Sequence, residues 1–223
     1  MIDTKPFVQT LDGKPVAVLG LGLSGLASAK ALMAGGAQVV GWDDSEETRA
    51  RAEHEGVSLF DFVYGGLDGY AALVMAPGIP LHYPQPHEAA AKARASRVPI
   101  IGDLEILYRS HHGRKTIGIT GTNGKSTTTA LIDHILNASK KHTVIGGNIG
   151  KPVLSLDLHN ADDTLVLEIS SYQMDLCPTF RPDIAVLLNI TPDHLDRHGG
   201  MDGYARAKER MMEGTGIAII GID

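Results

Sequence analysis

The sequence predicts an α/β protein, a Rossmann-like first domain followed by a second α/β domain of phosphate-loop type. Short apolar, β-branched runs alternate with alanine-rich helical stretches, the pattern of parallel strands joined by crossover helices. Two glycine turns of different design, Gly20–Gly25 and Gly121–Gly124, each leave a strand and enter a helix. Between them the polar run Tyr108–Lys115 precedes a fresh strand, so a domain boundary is expected near His112, giving domains 1–112 and 113–223.

Strands are expected at Pro15–Gly20, Gln38–Trp42, Ala72–Ala76, Val98–Ile101, Thr116–Thr120, His142–Gly146, Thr164–Ile169, Asp183–Asn189 and Gly216–Gly221. Helices are expected at Ser24–Ala34, Ser45–Glu55, Pro86–Ser96, Leu104–Ser110, Lys125–Ser139 and Met201–Glu213, the first stopped by Gly35-Gly36. Ala76-Pro77-Gly78-Ile79-Pro80 ends a strand, where open α/β sheets take ligands; alone, it is equally a rigid loop.

Composition narrows the function. With 43% hydrophobic and 21% charged residues the chain resembles ordinary globular proteins, which excludes disorder and fibrous repeats. A net charge of 20 − 26 = −6 repels polyanions, so no nucleic-acid partner is expected and any phosphate must be bound locally. Cys177 is the only cysteine, which fits a reducing compartment and a cytoplasmic address. The first residues lack the apolar core of a secretory signal. The longest stretch free of charged side chains, Gly69–His87, holds four prolines, so no membrane insertion is expected.

Gly20-Leu21-Gly22-Leu23-Ser24-Gly25 has the G-x-G-x-x-G spacing in its proper context, where backbone amides at a helix start meet a pyrophosphate. Asp43, at the end of the next strand, lies 43 − 25 = 18 residues past the third glycine, near the spacing at which an acid takes ribose hydroxyls, with Asp44 beside it. These residues fit NAD or any nucleoside diphosphate.

Thr116–Thr129 runs from a strand into a helix as a phosphate loop. Gly121, Thr122, Asn123 and Gly124 curl amides round an anion, Lys125 brings a cation to the β- and γ-phosphates, and Ser126, followed by Thr127, offers a hydroxyl to Mg²⁺. The loop fits ATP, although Ile119 stands where the strict pattern has glycine. Glu168 ends a buried strand and needs a partner, which a metal ion or a salt bridge supplies. His194-x-Asp196-x-His198 reads weakly as a transition-metal site; one of its members serving a Mg²⁺ phosphate site is preferred. On physics alone Lys208 is a solvated helix lysine and Asn148 a turn former or ligand contact.

Five ordered motifs, Gly121–Thr127, Gly147-Asn148-Ile149-Gly150, Leu167–Gln173, Asn189–Asp196 and Tyr204–Lys208, resemble those of the muramyl ligases of peptidoglycan synthesis. The resemblance, with Gly20–Gly25, Asp43 and Gly78, implies UDP-N-acetylmuramoyl-L-alanine and D-glutamate as substrates and ATP and Mg²⁺ as cofactors. It puts Leu23, Ser24, Asp43, Asp44 and Gly78 near the UDP nucleotide and Asn148 and Ser170 at the acyl end of that substrate. Ser126 and Glu168 would serve one Mg²⁺; His194 and a Lys208 carbamylated by CO₂ would serve a second. Lys125, Glu168, His194 and Lys208 then carry the chemistry, an acyl phosphate formed from ATP and captured by an amine. Family members have a longer central domain and a carboxyl-terminal domain for the incoming amino acid, so the chain ending at Asp223 is expected to be a truncated ligase with an exposed sheet edge after Gly216–Gly221. The competing readings are a non-catalytic nucleotide-binding fragment and an NAD-dependent oxidoreductase, the latter disfavoured by the second phosphate loop.

Overall fold

The computed structural model describes residues 1–110, 113–160 and 162–222, so the boundary expected near His112 lies outside the described residues. Two five-stranded parallel sheets follow one another along the chain. The first is built from β1 (Val16–Leu19), β2 (Val39–Trp42), β3 (Ser58–Leu59), β4 (Ala72–Met75) and β5 (Ile100–Ile101), in the order β3-β2-β1-β4-β5. Its helices are α1 (Lys5–Gln9), α2 (Leu23–Ala34), α3 (Glu46–His54), α4 (Phe62–Gly65), α5 (Glu88–Ala95) and α6 (Asp103–Arg109). Every residue of β1 and β4 is buried, as strands covered on both faces require. The strand order reverses between these two, which opens a crevice at their carboxyl ends.

The second sheet holds β6 (Thr116–Thr120), β7 (Thr143–Gly147), β8 (Thr164–Glu168), β9 (Ile184–Leu187) and β10 (Ile217–Ile220), in the order β10-β9-β6-β8-β7. Its helices are α7 (Lys125–Ala138), α8 (Ser171–Asp175), α9 (Leu195–His198) and α10 (Met201–Glu209), with a 3-10 turn at Val153–Ser155. The fully buried β6 is central, so its carboxyl end delivers the phosphate loop to the middle of the sheet edge. β10 is an edge strand with Ile217, Ile219 and Ile220 each more than half exposed, as expected.

One apolar cluster runs through both halves, from Val16 and Leu32 to Leu165 and Met211. Polar clasps reinforce it: Ile2 N donates to Leu154 O at 3.1 Å and Gly102 N to Leu176 O at 2.8 Å. Glu105, wholly buried on α6, accepts from Thr179 N, Thr179 Oγ1 and Phe180 N, and from Arg109 Nε at 2.7 Å. No helix among the described residues is long and apolar enough to cross a membrane.

Several boundaries differ from the sequence expectation. α5 starts at Glu88, not Pro86, because His87 Nδ1 accepts Ala89 N at 3.1 Å and caps the helix. α2 does end at the glycine pair, with Gly36 taking the left-handed conformation at φ 94°. α10 stops at Glu209, and residues 210–214 form a turn that Met212 N opens by bonding to Glu209 O.

Candidate active site

The first glycine turn is a bare helix start. Gly22 caps α2 without a side-chain acceptor, so the first amides of that helix are open to an anion. Gly25 is needed sterically: a Cβ there would stand 1.6 Å from the Gly20 carbonyl oxygen. Asp43 braces the turn, accepting Leu21 N at 2.7 Å on one carboxylate oxygen and Ser45 N at 2.9 Å on the other. Asp44 meets His87 Nε2 at 3.2 Å, and Arg49 lies over the Trp42 ring at 4.5 Å while donating to the carbonyls of Asp43 and Asp44. His87 and Arg49 complete this edge and were not legible as site residues: His87 lies 43 positions from its partner.

The second turn is a closed cradle. Gly124 is left-handed at φ 82°, which turns the chain into α7 at Lys125. Lys125 Nζ folds back to the carbonyls of Gly121 at 3.0 Å and Thr122 at 2.9 Å, so the cation already sits over the loop. Asn123 N donates to Asn189 Oδ1 at 2.9 Å and Thr191 N to Thr122 Oγ1 at 2.9 Å, pinning the loop to the segment after β9.

Glu168 is the strongest sign of a cation site. It is 2% exposed, and its carboxylate receives only neutral donors, Ser126 Oγ at 2.6 Å and Asn148 Nδ2 at 2.8 Å. Among the described residues no cationic side chain pairs with it. A buried carboxylate without a countercharge is costly, and a carboxylate beside a hydroxyl is an oxygen donor set suited to Mg²⁺. The residues present therefore fit that ion.

His194 and Lys208 are less closely assembled. His194, left-handed at φ 50°, is half exposed, with Nε2 3.4 Å from Asp193 and its ring 4.9 Å from that of Tyr172. Lys208 is not the solvated lysine that residue type suggests: it is 1% exposed and donates to Gly121 O at 2.8 Å, with Nζ 4.7 Å above the Tyr204 ring. The transition-metal reading of His194-x-Asp196-x-His198 fails. Among the described residues no group of three metal-ligating side chains forms, and His198 turns into the core, with Nδ1 3.1 Å from Asp175 and Nε2 2.9 Å from Ser171 Oγ.

Burial, and secondarily the charge of Lys125, pushes the Lys208 amine down to about 8 from 10.5. Folding therefore releases a proton between those pH values, and the stability lost by burying the charged amine below pH 8 returns as pH rises to 10.5. Lys208→Met is expected to raise the Tm relative to wild type at pH 7 and to lose that advantage by pH 10.5. A Tm difference constant across this range would contradict the assignment.

Between the halves lies a cavity of about 340 Å³. Leu23, Ser24 and Gly78 line it from the first half; Asn148, Ser170 and Tyr172 line it from the second. Five of the seven residues expected to bind substrate thus share one cavity, while Asp43 and Asp44 stand at the end of β2. Gln173, the last residue of the Leu167–Gln173 motif, also lines it, as does Asp103, which nothing in its local sequence marked.

Residues 119–223 match the Mur ligase middle domain. UDP-N-acetylmuramoylalanine–D-glutamate ligases from Caulobacter sp. (strain K31) and Agrobacterium fabrum are each 50% identical to this chain across 97% of it, a match covering 48% and 47% of those proteins. The chain thus spans about half the length of the curated relatives it matches. The crystal structure of UDP-N-acetylmuramate–alanine ligase from Thermotoga maritima superposes on 93% of this chain and 49% of its own with a TM-score of 0.56 at 21% identity, a likeness of fold. The phosphate loop from Ile119 on, Glu168 and Lys208 all fall inside the matched segment, and residues 119–223 belong to the Mur ligase middle-domain family.

Proposed function

We propose that the chain binds UDP-N-acetylmuramoyl-L-alanine through residues 1–112 and Mg·ATP through residues 113–223, in a cytoplasmic ligase that joins D-glutamate to that substrate during peptidoglycan precursor synthesis. The observation that carries this reading is the cavity lined from both halves, with a bare helix start on one side and the residues beside Glu168 on the other. Leu23, Ser24, Asp43, Asp44 and Gly78 hold the UDP part. Asn148 and Ser170 hold the acyl end.

Lys125 and the amides of Gly121–Thr127 grip the ATP phosphates, and Ser126 and Glu168 hold Mg²⁺. That ion supplies charge neutralisation on the transferring phosphoryl group. His194 serves a second Mg²⁺ together with a carbamylated Lys208; an amine pushed down to about 8 supports this, since near neutral pH an appreciable fraction is the uncharged, CO₂-reactive form. The alanine carboxylate oxygen attacks the γ-phosphorus, ADP leaves, and an acyl phosphate results. The D-glutamate amine then attacks the acyl carbon, loses a proton, and inorganic phosphate departs as the amide forms.

Competition binding tests the substrate assignment. Bound UDP-N-acetylmuramoyl-L-alanine should be displaced by UDP and not by NADH at equal concentration. Displacement by NADH alone would replace this reading with the oxidoreductase one.

A further inference from the structure

The cavity between the halves has one carboxylate in its wall that the function above does not use. Asp103 opens α6 and is 4% exposed, yet it lines the cavity. Gly102 N bonds to Leu176 O on one side of it, and Glu105 accepts Thr179 N and Phe180 N on the other. These bonds fix the start of α6 against the second half, so the carboxylate is in place before a ligand arrives.

Its hydrogen bonding is incomplete. Oδ1 accepts Leu104 N at 2.9 Å, and among the described residues no donor lies within hydrogen-bond distance of Oδ2. Nor is Oδ2 closed off inside the protein, because Thr129 Oγ1 is the one fully buried side-chain polar atom without a partner among the described residues. The free oxygen therefore opens onto the cavity. No cation offsets its charge: among the described residues Asp103 enters no ion pair, and no lysine, arginine or histidine lines the cavity. Burial pushes the carboxyl up to about 6, which reflects the cost of holding it here. The preference for acids at helix starts explains the residue type but not a buried, half-paired carboxylate.

Charge decides which donor suits that oxygen. A carboxylate only accepts hydrogen bonds, and it repels phosphate and carboxylate groups. On the reading above, the diphosphate meets the bare start of α2 beside Ser24, and the acyl carboxylate meets Asn148 and Ser170. Between those anionic groups UDP-N-acetylmuramoyl-L-alanine carries an uncharged sugar ring with a free 4-hydroxyl and a free 6-hydroxyl.

We propose that Asp103 is a specificity-determining residue whose free carboxylate oxygen accepts a hydroxyl of the sugar ring, so that the cavity selects a ligand with a neutral, hydroxylated unit between two anionic ends. The inference rests on the reading that UDP-N-acetylmuramoyl-L-alanine occupies the cavity.

The test is calorimetric titration of UDP, UDP-N-acetylmuramoyl-L-alanine and its 4-deoxy and 6-deoxy analogues into wild type and Asp103→Ala. A hydrogen bond to a charged group corresponds to about a 10- to 150-fold change in Kd. Wild type should bind at least one deoxy analogue more weakly than the parent by a factor in that range. Asp103→Ala should bind the parent more weakly than wild type does by a similar factor, bind the parent and both analogues alike, and bind UDP as wild type does. Equal affinities of wild type for the parent and both analogues, a comparison that needs no variant to fold, would overturn the proposal while leaving the substrate reading intact. So would a preference for the hydroxyl that survives in Asp103→Ala, which would place it against another residue. An equal weakening of UDP and the parent in that variant, the mark of a structural role, would overturn it as well. If wild type binds the parent no better than UDP, the substrate reading and the proposal fall together.

Discussion

Replacing Lys125 by alanine is expected to weaken Mg·ATP binding by about 10- to 150-fold while leaving the affinity for UDP unchanged. The lysine is held over the loop by two carbonyls, so its cation is in place before the nucleotide arrives. A charge-assisted hydrogen bond to phosphate is worth about 1.5–3 kcal/mol, which gives that range. The effect stays local because Lys125 begins α7 in the second sheet, whereas the UDP residues surround α2 in the first. Titration of both nucleotides into both proteins reads the outcome. An equal loss of UDP affinity would contradict two separate sites.

The largest effect on stability is expected at Glu105. Its carboxylate is wholly buried and takes four donors, three of them on Thr179 and Phe180 across the junction between the halves. Glu105→Ala leaves those backbone and hydroxyl donors without an acceptor and opens a cavity. Removing one partner from such a buried charged network costs about 3–5 kcal/mol. For a chain of this size that is a fall in Tm of about 6–20 °C. A melt displaced by less than about 2 °C would show that water or neighbouring groups replace the carboxylate, and that the clasp is not what joins the halves.

The sequence and the structure agree best where a local rule is strong. Both glycine turns, with their flanking strands and helices, are legible because only glycine meets the backbone demands at Gly25 and Gly124. Elements of two to five residues, such as β3, α4, α8 and α9, carry too few side chains to show a period, and tertiary packing fixes them. Strand order was equally hidden: nothing local states that β6 pairs with β8 and β9 rather than β7.

The site follows the same division. Lys125, Ser126 and Glu168 are placed by their position at strand and helix ends, and the Ser126–Glu168 bond joins residues read separately. Lys208 reads as solvated because its helix is polar, yet the phosphate loop covers it. His87 and His198 depend on partners 23 to 43 residues away along the chain, a distance over which no spacing rule operates.

On this proposal one chain carries two independent nucleotide sites, the first beside the cavity lined from both halves and the second at the phosphate loop. Titrating Mg·ATP into the chain already saturated with UDP-N-acetylmuramoyl-L-alanine, and then in the reverse order, tests it most directly. One site for each ligand is expected, with full occupancy of the second in the presence of the first. Displacement of either ligand by the other would mean that a single site binds both, and the two-cradle account would be wrong.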